Sequence, residues 1–287
     1  MKQRQIMSKK RPIFGNIMRI KLSIGIRRLL VTLLCFTLCN ASLAQTPSQQ
    51  LVLRIGVEDI NYTPVMNFTK GAKDGLLHHI VSDFAQQESL NLDFIPLPLS
   101  RFPFWFDENA IDIRLPDNAR WKLSATDNIH YSDPMITLCD TTVVLSKNKH
   151  RPASQFSRLG LPIGFTPSSK WREQLDAGNM EIARDSSLRV LTQMLVKGFI
   201  DGIDVNIAII QNELKGLGLS PDLVSVSSEL SASPVRYQIS TKHSTDILER
   251  FNRYIADNKQ NFELWARENG IAIAPHCERF QSDASDS

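Results

Sequence analysis

Hydrophobic residues recur along the chain with two different periods, and these periods predict strands and helices in turn. Short apolar or alternating runs bounded by turn residues are typical of β-strands. The predicted strands cover residues 51–57, 92–97, 111–115, 141–145, 161–165, 181–183, 199–203, 223–226 and 234–240. Their alternation with helical segments predicts an α/β fold.

Apolar residues spaced three and four apart predict the helices between these strands. The first helix begins at Gly75, and later ones run through Trp171, over 188–195, over 206–214 and from 245 towards Gly270. Residues 278–287 are polar and acidic, which predicts a disordered tail.

Residues 1–44 have a different composition, with nine Lys or Arg and no Asp or Glu. A ten-residue apolar run, Leu29–Leu38, is followed by Ser42-Leu43-Ala44, a pattern that predicts a secretory signal peptide removed after residue 44. A membrane anchor is the alternative, but a bilayer needs roughly 20 apolar residues. The basic segment is long when counted from Met1, so Met18 is a second candidate start. We therefore expect a periplasmic protein.

Without this leader the chain has 24 basic and 30 acidic residues, a net charge of −6. That balance argues against nucleic acid as a partner. His79 and Asp83 stand four residues apart on the first helix but have no third ligand nearby, so we expect no metal and no cofactor. No motif of a metalloprotease or a serine hydrolase is present in the sequence.

Two cysteines follow the leader, Cys139 and Cys277. In an oxidising compartment such a pair can form a disulfide, and two buried thiols are the alternative.

Polar residues cluster in loops that follow predicted strands, where open α/β folds bind ligands. Asp117 and Asn118 form a turn after strand 111–115, and Arg101 follows strand 92–97 with a guanidinium suited to a carboxylate. Residues 166–169 precede a helix, whose N-terminus favours an anion. Trp121 can stack on a ligand or pack under its loop.

The order of these weak signals resembles a known family. A strand carrying Asp112, a polar loop, Ser132-Asp133-Pro134 and then a long strand is similar to the extracytoplasmic solute-binding proteins of the amino-acid type, bacterial solute-binding protein family 3. Residues 198–203 also resemble the "Gly, two residues, Asp, apolar" signature of that family. The similarity extends over most of the chain after residue 50.

The resemblance implies the type II periplasmic-binding-protein fold. This fold has two lobes, each a mixed sheet flanked by helices, and two crossover strands that form a hinge. The implied boundaries are 45–140 plus 236–287 for lobe 1 and 141–235 for lobe 2. The ligand is expected in the cleft between the lobes.

The family also implies site residues, with Tyr62 as an aromatic wall and residues 166–169 as a carboxylate site. This chain departs from the family at both ends of the amino-acid clamp. The expected Arg falls on Ser124 or Ala125, with Arg120 too early, and the expected Asp falls on Asn206, with Asp204 two residues short. We therefore expect a carboxylate, a neutral polar compound or a modified amine rather than a standard α-amino acid.

Eleven residues form the predicted ligand site. They are Tyr62, Arg101, Asp117, Asn118, Arg120, Trp121, Thr166, Ser168, Ser169, Asp204 and Asn206.

The predicted function is a monomeric periplasmic binding protein that captures a small polar, carboxylate-bearing ligand for an ABC importer and performs no chemistry. One alternative is a sensor that reports its ligand to a membrane partner. Another is a dehydratase-like enzyme on the same fold, for which Asp117, His130 and Asp204 are the available acids or bases.

Overall fold

The computed structural model describes residues 52–108, 111–121 and 128–274, although nothing is stated of the side chains of Lys70 and Arg120. Gln50–Ser287 form one compact unit. The predicted signal peptide, residues 1–44, lies outside the described residues.

The described residues form twelve strands and six α-helices. The strands are β1 (Val52–Glu58), β2 (Asn61–Tyr62), β3 (Met66–Asn67), β4 (Asn91–Leu97), β5 (Ile113–Asp117), β6 (His130–Tyr131), β7 (Ile136–Leu145), β8 (Arg158–Pro162), β9 (Glu181–Asp185), β10 (Gly202–Val205), β11 (Val224–Val226) and β12 (Ser233–Thr241). The helices are α1 (Leu76–Gln87), α2 (Trp105–Glu108), α3 (Arg172–Asp176), α4 (Leu188–Val196), α5 (Ile207–Gly216) and α6 (Thr245–Glu268).

Ten strands form one curled, mixed sheet in the order β4-β1-β5-β12-β7-β10-β8-β9, with β6 on β12 and β11 on β7. β1 pairs in parallel with β4 and β5, and β8 pairs in parallel with β9 and β10. We call β1 to β6, with the described helices and loops between them and α6, the first half of the structure. The second half is β8 to β11, with the helices and loops between them. This arrangement confirms the predicted α/β fold with two mixed, helix-flanked parts.

The long strands β7 and β12 connect the two halves. Ser233–Tyr237 of β12 pair antiparallel with Ile136–Asp140 of β7, and the later part of β12 pairs with β5 and β6. The predicted lobe boundaries, 140/141 and 235/236, fall inside these two strands. The exact extent of each lobe stays a prediction.

Amphipathic helices cover the sheet as their apolar spacing predicts. α1 buries Leu77, Ile80 and Phe84, and α6 packs on it with the Phe84 and Phe251 rings 5.0 Å apart. Burying one such ring contributes about 1.5–3 kcal/mol. The Tyr254 hydroxyl donates to Asp83 Oδ2 at 2.7 Å, which joins the last helix to the first half. Among the described residues, no helix combines the length and the apolar character that crossing a membrane would require.

Two strand predictions are displaced from the observed positions. The strand predicted at 161–165 occupies Arg158–Pro162, and the one predicted at 199–203 occupies Gly202–Val205. In the second case the Asp201 carboxylate accepts hydrogen bonds from the backbone N–H groups of Ser157 and Arg158. These bonds hold Asp201 in a bend before β10, so it has a structural role.

Candidate functional site

Five polar residues lie where the two halves meet, and we call this region the junction. Glu58 ends β1, Tyr62 lies on β2, Asp140 lies on β7, Asp204 lies on β10 and Tyr237 lies on β12. Glu58 is at the carboxyl end of its strand, where open α/β folds place polar groups. Asp140 and Tyr237 instead lie in the middle of the two long strands that connect the halves.

Asp117, at the end of β5, is buried, and its carboxylate accepts three hydrogen bonds. Arg114 Nη1 donates to its Oδ2 at 3.1 Å, Ser240 Oγ donates to the same oxygen at 2.5 Å, and the Asn118 backbone N–H donates to Oδ1 at 2.6 Å. Burial still raises the pKa of Asp117, against the opposing effect of Arg114. Asn118 Nδ2 donates to the Arg236 carbonyl at 2.8 Å, so this pair ties β5 to β12.

Asp204 is also buried with several donors. Trp171 Nε1 donates to Oδ2 and Thr142 Oγ1 donates to Oδ1, both at 2.6 Å, and Lys170 Nζ lies 3.3 Å from Oδ1. Charge-assisted hydrogen bonds of this kind stabilise a buried carboxylate. Asp204 therefore anchors the turn before α3 to the second half of the sheet.

Glu58 has a different environment. Its side chain is 2% exposed, and its Oε2 has no hydrogen-bond partner among the described residues. Burial raises the pKa of Glu58 to about 8, and the Asp117 carboxylate adds to this rise. A carboxyl with so high a pKa is mainly protonated at neutral pH.

Burial also raises the pKa values of Asp140, Tyr62 and Tyr237. Asp140 Oδ1 is covered and has no hydrogen-bond partner in the described part of the chain, although the residue as a whole keeps some exposed surface. Burial raises the pKa of Asp140 to about 7; Asp204 adds to the rise and Lys170 opposes it. Burial also raises the pKa of Tyr62 and of Tyr237, and the carboxyls of Asp140 and Glu58 add to both rises.

The Tyr62 hydroxyl is fully covered. No hydrogen-bond partner meets it within residues 52–108, 111–121 and 128–274, although the nearby backbone N–H of Asn206 partly offsets the rise in its pKa.

Direct contacts join the two halves beside these polar groups. The Tyr62 ring lies 5.7 Å from the Phe165 ring, centroid to centroid. Leu99, after β4, lies so close to Gly164 that a Cβ added there would be 2.8 Å from Leu99 Cγ. Ser168 Oγ lies 3.2 Å from Ser233 Oγ on β12. The structure thus has its two halves in contact.

Comparison with solved structures supports this description. An ancestral arginine-binding protein bound to arginine has a TM-score of 0.61 and 16% identity, covering 76% of this chain and 97% of its own. A histidine kinase sensor domain with similarity to periplasmic binding proteins has a TM-score of 0.60 and 12% identity, and the match covers 78% of this chain and 98% of that domain. An amino-acid ABC transporter substrate-binding protein of Streptococcus pneumoniae bound to L-arginine has a TM-score of 0.58 and 13% identity, and the match covers 76% of this chain and 94% of that protein.

The chain has the periplasmic-binding-protein fold. At these identities the likeness establishes the fold, in agreement with the family resemblance of the sequence. No protein-family model and no curated protein matches the chain.

Within this periplasmic-binding-protein fold, several predicted site residues lie at the junction. Tyr62, Asp117, Asn118 and Asp204 are buried there, and Trp121 is part-buried, with its ring 6.1 Å from that of Tyr237. This contact is compatible with both predicted roles of Trp121, stacking on a ligand and packing under its loop, because Tyr237 itself lies at the junction.

Other predicted residues have different surroundings. Arg101 is exposed and forms a forked pair with Glu108, with Nε to Oε2 at 3.0 Å and Nη2 to Oε1 at 2.6 Å. Asn206 caps α5 by accepting from Ala208 N, and its Nδ2 donates to the carbonyls of Cys139 and Ala272. Both side chains already have structural partners, and the ligand roles predicted for them stay untested.

The hydroxyls predicted to hold an anion border a short 3₁₀ turn. Thr166 and Ser169 are exposed and Ser168 is part-buried, before and within Ser169–Trp171. The side chain of Arg120 lies outside what the structure describes. Cys139 is disulfide-bonded, and its partner lies outside the described residues, as does Cys277. Their pairing therefore stays a prediction.

The sequence reasoning missed Glu58, Asp140 and Tyr237. The available signals were weak: an acid directly after the apolar strand 51–57, and an acid within the apolar run of β7. A cavity of about 280 Å³ is lined by none of the eleven predicted residues, although its lining includes Thr63, next to Tyr62, and Ala208, whose N–H donates to Asn206 Oδ1. In the described part of the chain, no three His, Cys, Asp or Glu side chains are grouped to hold a metal.

Proposed function

We propose that this chain is an exported binding protein that holds a small polar ligand at the junction and releases it unchanged. The observation that carries the proposal is the set of covered polar atoms on Glu58, Tyr62 and Asp140, which have no hydrogen-bond partner in the described residues. Buried polar groups are normally paired, and unpaired ones cost about 1–3 kcal/mol each. A ligand that supplies the missing partners would recover this free energy when the two halves close around it.

The closing contacts support a ligand-linked movement. Tyr62 with Phe165, and Leu99 with Gly164, connect the two halves beside the covered groups. A ligand that touches both halves binds the closed state better and so shifts the population towards it. The proposal includes a carboxylate on the ligand, received by Thr166, Ser168 and Ser169. Ser168 Oγ lies 3.2 Å from the hydroxyl of Ser233, the residue that pairs with Asp140 on β7.

Delivery to an ABC importer is the proposed biological role, and a membrane sensor is the alternative partner. One neighbour of the same fold is an importer subunit and another is a sensor domain, so the fold is compatible with both. A permease and an ATPase encoded beside this chain would favour import, and a histidine kinase would favour sensing.

The enzyme alternative is less well supported by the three groups named for it. Asp117 accepts three hydrogen bonds, and Asp204 accepts two and lies 3.3 Å from Lys170 Nζ, so each carboxylate already has structural partners within the chain. His130 lies on β6 and is exposed. A binding protein without chemistry therefore fits these residues better.

Native mass spectrometry of the protein purified from the periplasm tests the proposal. We expect a co-purified small molecule, released intact on unfolding, and a rise in melting temperature when it is added back to stripped protein. Recovery of a chemically altered compound after incubation would support the enzyme alternative. If the purified protein carries nothing and a broad metabolite panel produces no shift, the binding function is wrong.

A further inference from the structure

One buried side chain joins the two halves in addition to β7 and β12. Asn206 precedes α5 in the second half and has no exposed surface. Its Nδ2 donates to the Cys139 carbonyl on β7 at 3.1 Å and to the Ala272 carbonyl at 2.8 Å, and its Oδ1 accepts from Ala208 N at 3.2 Å. Ala272 follows α6, the last helix of the first half. A single amide therefore joins α5, β7 and the segment that leaves α6.

The segment after α6 runs beside β7. Ile273 forms an antiparallel bridge with Leu138, and the Ala272 carbonyl accepts from Cys139 N at 3.1 Å as well as from Asn206 Nδ2. The backbone thus fixes this segment to β7, and Asn206 fixes the start of α5 to both of them.

These contacts require a donor with two hydrogens at position 206. Two carbonyl oxygens face Asn206 Nδ2, and a primary amide supplies two N–H donors, whereas a carboxylate only accepts. The aspartate that the family resemblance places at this position could not make both bonds. The chemistry of the side chain therefore matches a structural connection.

A cavity leaves α5 room to move beyond this connection. The cavity of about 280 Å³ is lined by Ala208 and Lys215 of α5 and, on the side of the first half, by Thr63 and Asp74. Lys215 and Asp74 carry opposite charges and form no ion pair within the described residues. The start of α5 is thus attached, while its later turns border open space.

We infer that Asn206 is a tether that limits how far the two halves separate, and that α5 turns about it, into or away from the cavity. A hydrogen bond weakens steeply when its geometry is lost, so the start of α5 stays beside β7. Lys215 lies nine residues later, roughly 13 Å along the helix, so a small turn at Asn206 displaces it much further.

The tether rests on the proposed movement of the halves and goes beyond it, because it involves no ligand contact. It gives Asn206 a role other than the predicted ligand contact.

Exchange of side-chain hydrogens tests the tether in the wild-type protein. Both hydrogens of Asn206 Nδ2 have a buried acceptor, whereas Asn258 Nδ2 on α6 donates to the Tyr254 carbonyl and is part-buried. In NMR spectra of the ligand-free chain, we expect the Asn206 amide hydrogens to exchange with solvent at least about tenfold more slowly than those of Asn258.

Variants test whether the amide restrains the halves. Asn206→Ser and Asn206→Asp keep an oxygen that can cap α5 and remove both amide donors. Spin labels on cysteines introduced at the exposed Asp93 of β4 and Lys197 after α4 report the separation of the halves, with the native disulfide left oxidised. At pH 8, we expect both variants to at least double the width of the distance distribution. Asn258→Asp, which loses one amide donor inside α6, is the matched control and should leave it unchanged.

The pH dependence separates the tether from a general loss of stability. A carboxyl introduced by Asn206→Asp would face two carbonyls, with Asp140, Asp204 and the Tyr62 hydroxyl close by and Lys170 beyond Asp204. When protonated it can donate one O–H to a carbonyl. Its distance distribution should therefore narrow between pH 8 and pH 5, and that of Asn206→Ser should not. Wild type is measured at both values, because acids of the junction titrate in this range.

Three results overturn the inference. One is equally fast exchange of the Asn206 and Asn258 amide hydrogens in wild type, which also decides the case if neither Asn206 variant folds. Another is a wild-type distance distribution in both Asn206 variants. The third is equal broadening in Asn258→Asp, or no narrowing of Asn206→Asp at pH 5. All measurements use the ligand-free chain, so these results leave the binding function standing, and failure to find a ligand leaves the tether standing.

Discussion

The rings of Tyr62 and Phe165 lie 5.7 Å apart, tilted by 49°, and this pair joins β2 of the first half to the loop after β8 in the second half. An aromatic pair contributes about 0.5–1.5 kcal/mol beyond its buried area. Phe165→Ala removes that contribution from the closed state, so we expect ligand affinity to fall by about 2- to 10-fold. Phe199→Ala is the control, because Phe199 is 59% exposed on the second half. Equal effects of the two variants in calorimetry would contradict a closing role for Phe165.

Gly164 allows Leu99 to approach. Gly164 has φ +92°, and a Cβ there would meet three Leu99 atoms at 2.8–3.1 Å. Gly164→Ala should therefore hold the halves apart and weaken ligand binding at least tenfold. Gly178→Ala, at φ +70° with nothing within 4 Å, has a similar backbone cost of about 1–2 kcal/mol without the clash, and should bind normally.

A second substitution checks the cause. Leu99→Ala removes Cγ and Cδ2, the two Leu99 atoms nearest to the added Cβ, so Leu99→Ala/Gly164→Ala should restore most of the affinity that Gly164→Ala loses. If the double variant binds as poorly as the single one, backbone strain rather than the contact with Leu99 explains the loss.

The raised pKa of Glu58 predicts that the stability of the ligand-free protein depends on pH. Its pKa is about 8 in the folded chain and near 4.5 when unfolded, so between these values the folded state binds more protons. The ligand-free protein should thus lose stability as pH rises from about 5 to 8. Glu58→Gln removes this dependence and should be more stable than wild type at pH 8, by about 1–3 kcal/mol. Urea denaturation at pH 5, 6.5 and 8 measures the free energy of unfolding of both proteins. If this free energy changes with pH by the same amount in wild type and in Glu58→Gln, the raised pKa of Glu58 is wrong.

Trp171 and Trp105 permit a matched comparison of two indole donors. Trp171 Nε1 donates to the Asp204 carboxylate at 2.6 Å, whereas Trp105 Nε1 donates to the neutral Pro98 carbonyl at 3.1 Å. Both rings are buried, so Phe replaces each with a similar loss of volume. We expect Trp171→Phe to cost about 1.5–3 kcal/mol of unfolding free energy and Trp105→Phe about 0.5–1.5 kcal/mol. The reverse order would contradict the charge-assisted character of the Trp171 bond.

Peptide mapping under non-reducing conditions decides the partner of Cys139, which is disulfide-bonded. We expect one cross-linked peptide pair containing Cys139 and Cys277, which separates on reduction. A linkage to any other thiol would contradict the predicted pairing.

Local patterns in the sequence were sufficient to predict most elements of the fold. The spacing of Leu76, Ile80 and Phe84 is that of α1. A serine before the apolar run 188–195 predicts a helix cap at Ser186 or Ser187, and Ser187 is the one that accepts from Val190 N. The α/β class and the similarity to periplasmic binding proteins followed from the order of these elements. Strand ends were less predictable, because side-chain bonds such as those of Asp201 decide where β10 begins.

Site residues were harder to predict because function depends on partners that are distant in sequence. Asn206 has the chemistry of a ligand residue, yet its amide bonds to Cys139 and Ala272, 67 and 66 residues away. The sequence suggests that Glu58 is a surface acid after a strand, and only the packing of β4 and β5 on either side of β1 shows that it is buried. Periodicity describes which face a residue occupies and carries no information on what covers that face.

The ladder between β7 and β12 has a mechanical consequence. Its five residue pairs, Ser233↔Asp140 through Tyr237↔Ile136, connect the only two long strands shared by both halves in the described chain, and the register of β12 shifts between Gln238 and Ser240. Both strands continue from one half into the other, so the ladder fixes the length of the connection, and a relative movement of the halves has to bend or twist the two strands together. A membrane protein that binds both halves would therefore contact two surfaces whose relative angle changes, while the length of the β7–β12 connection stays almost constant.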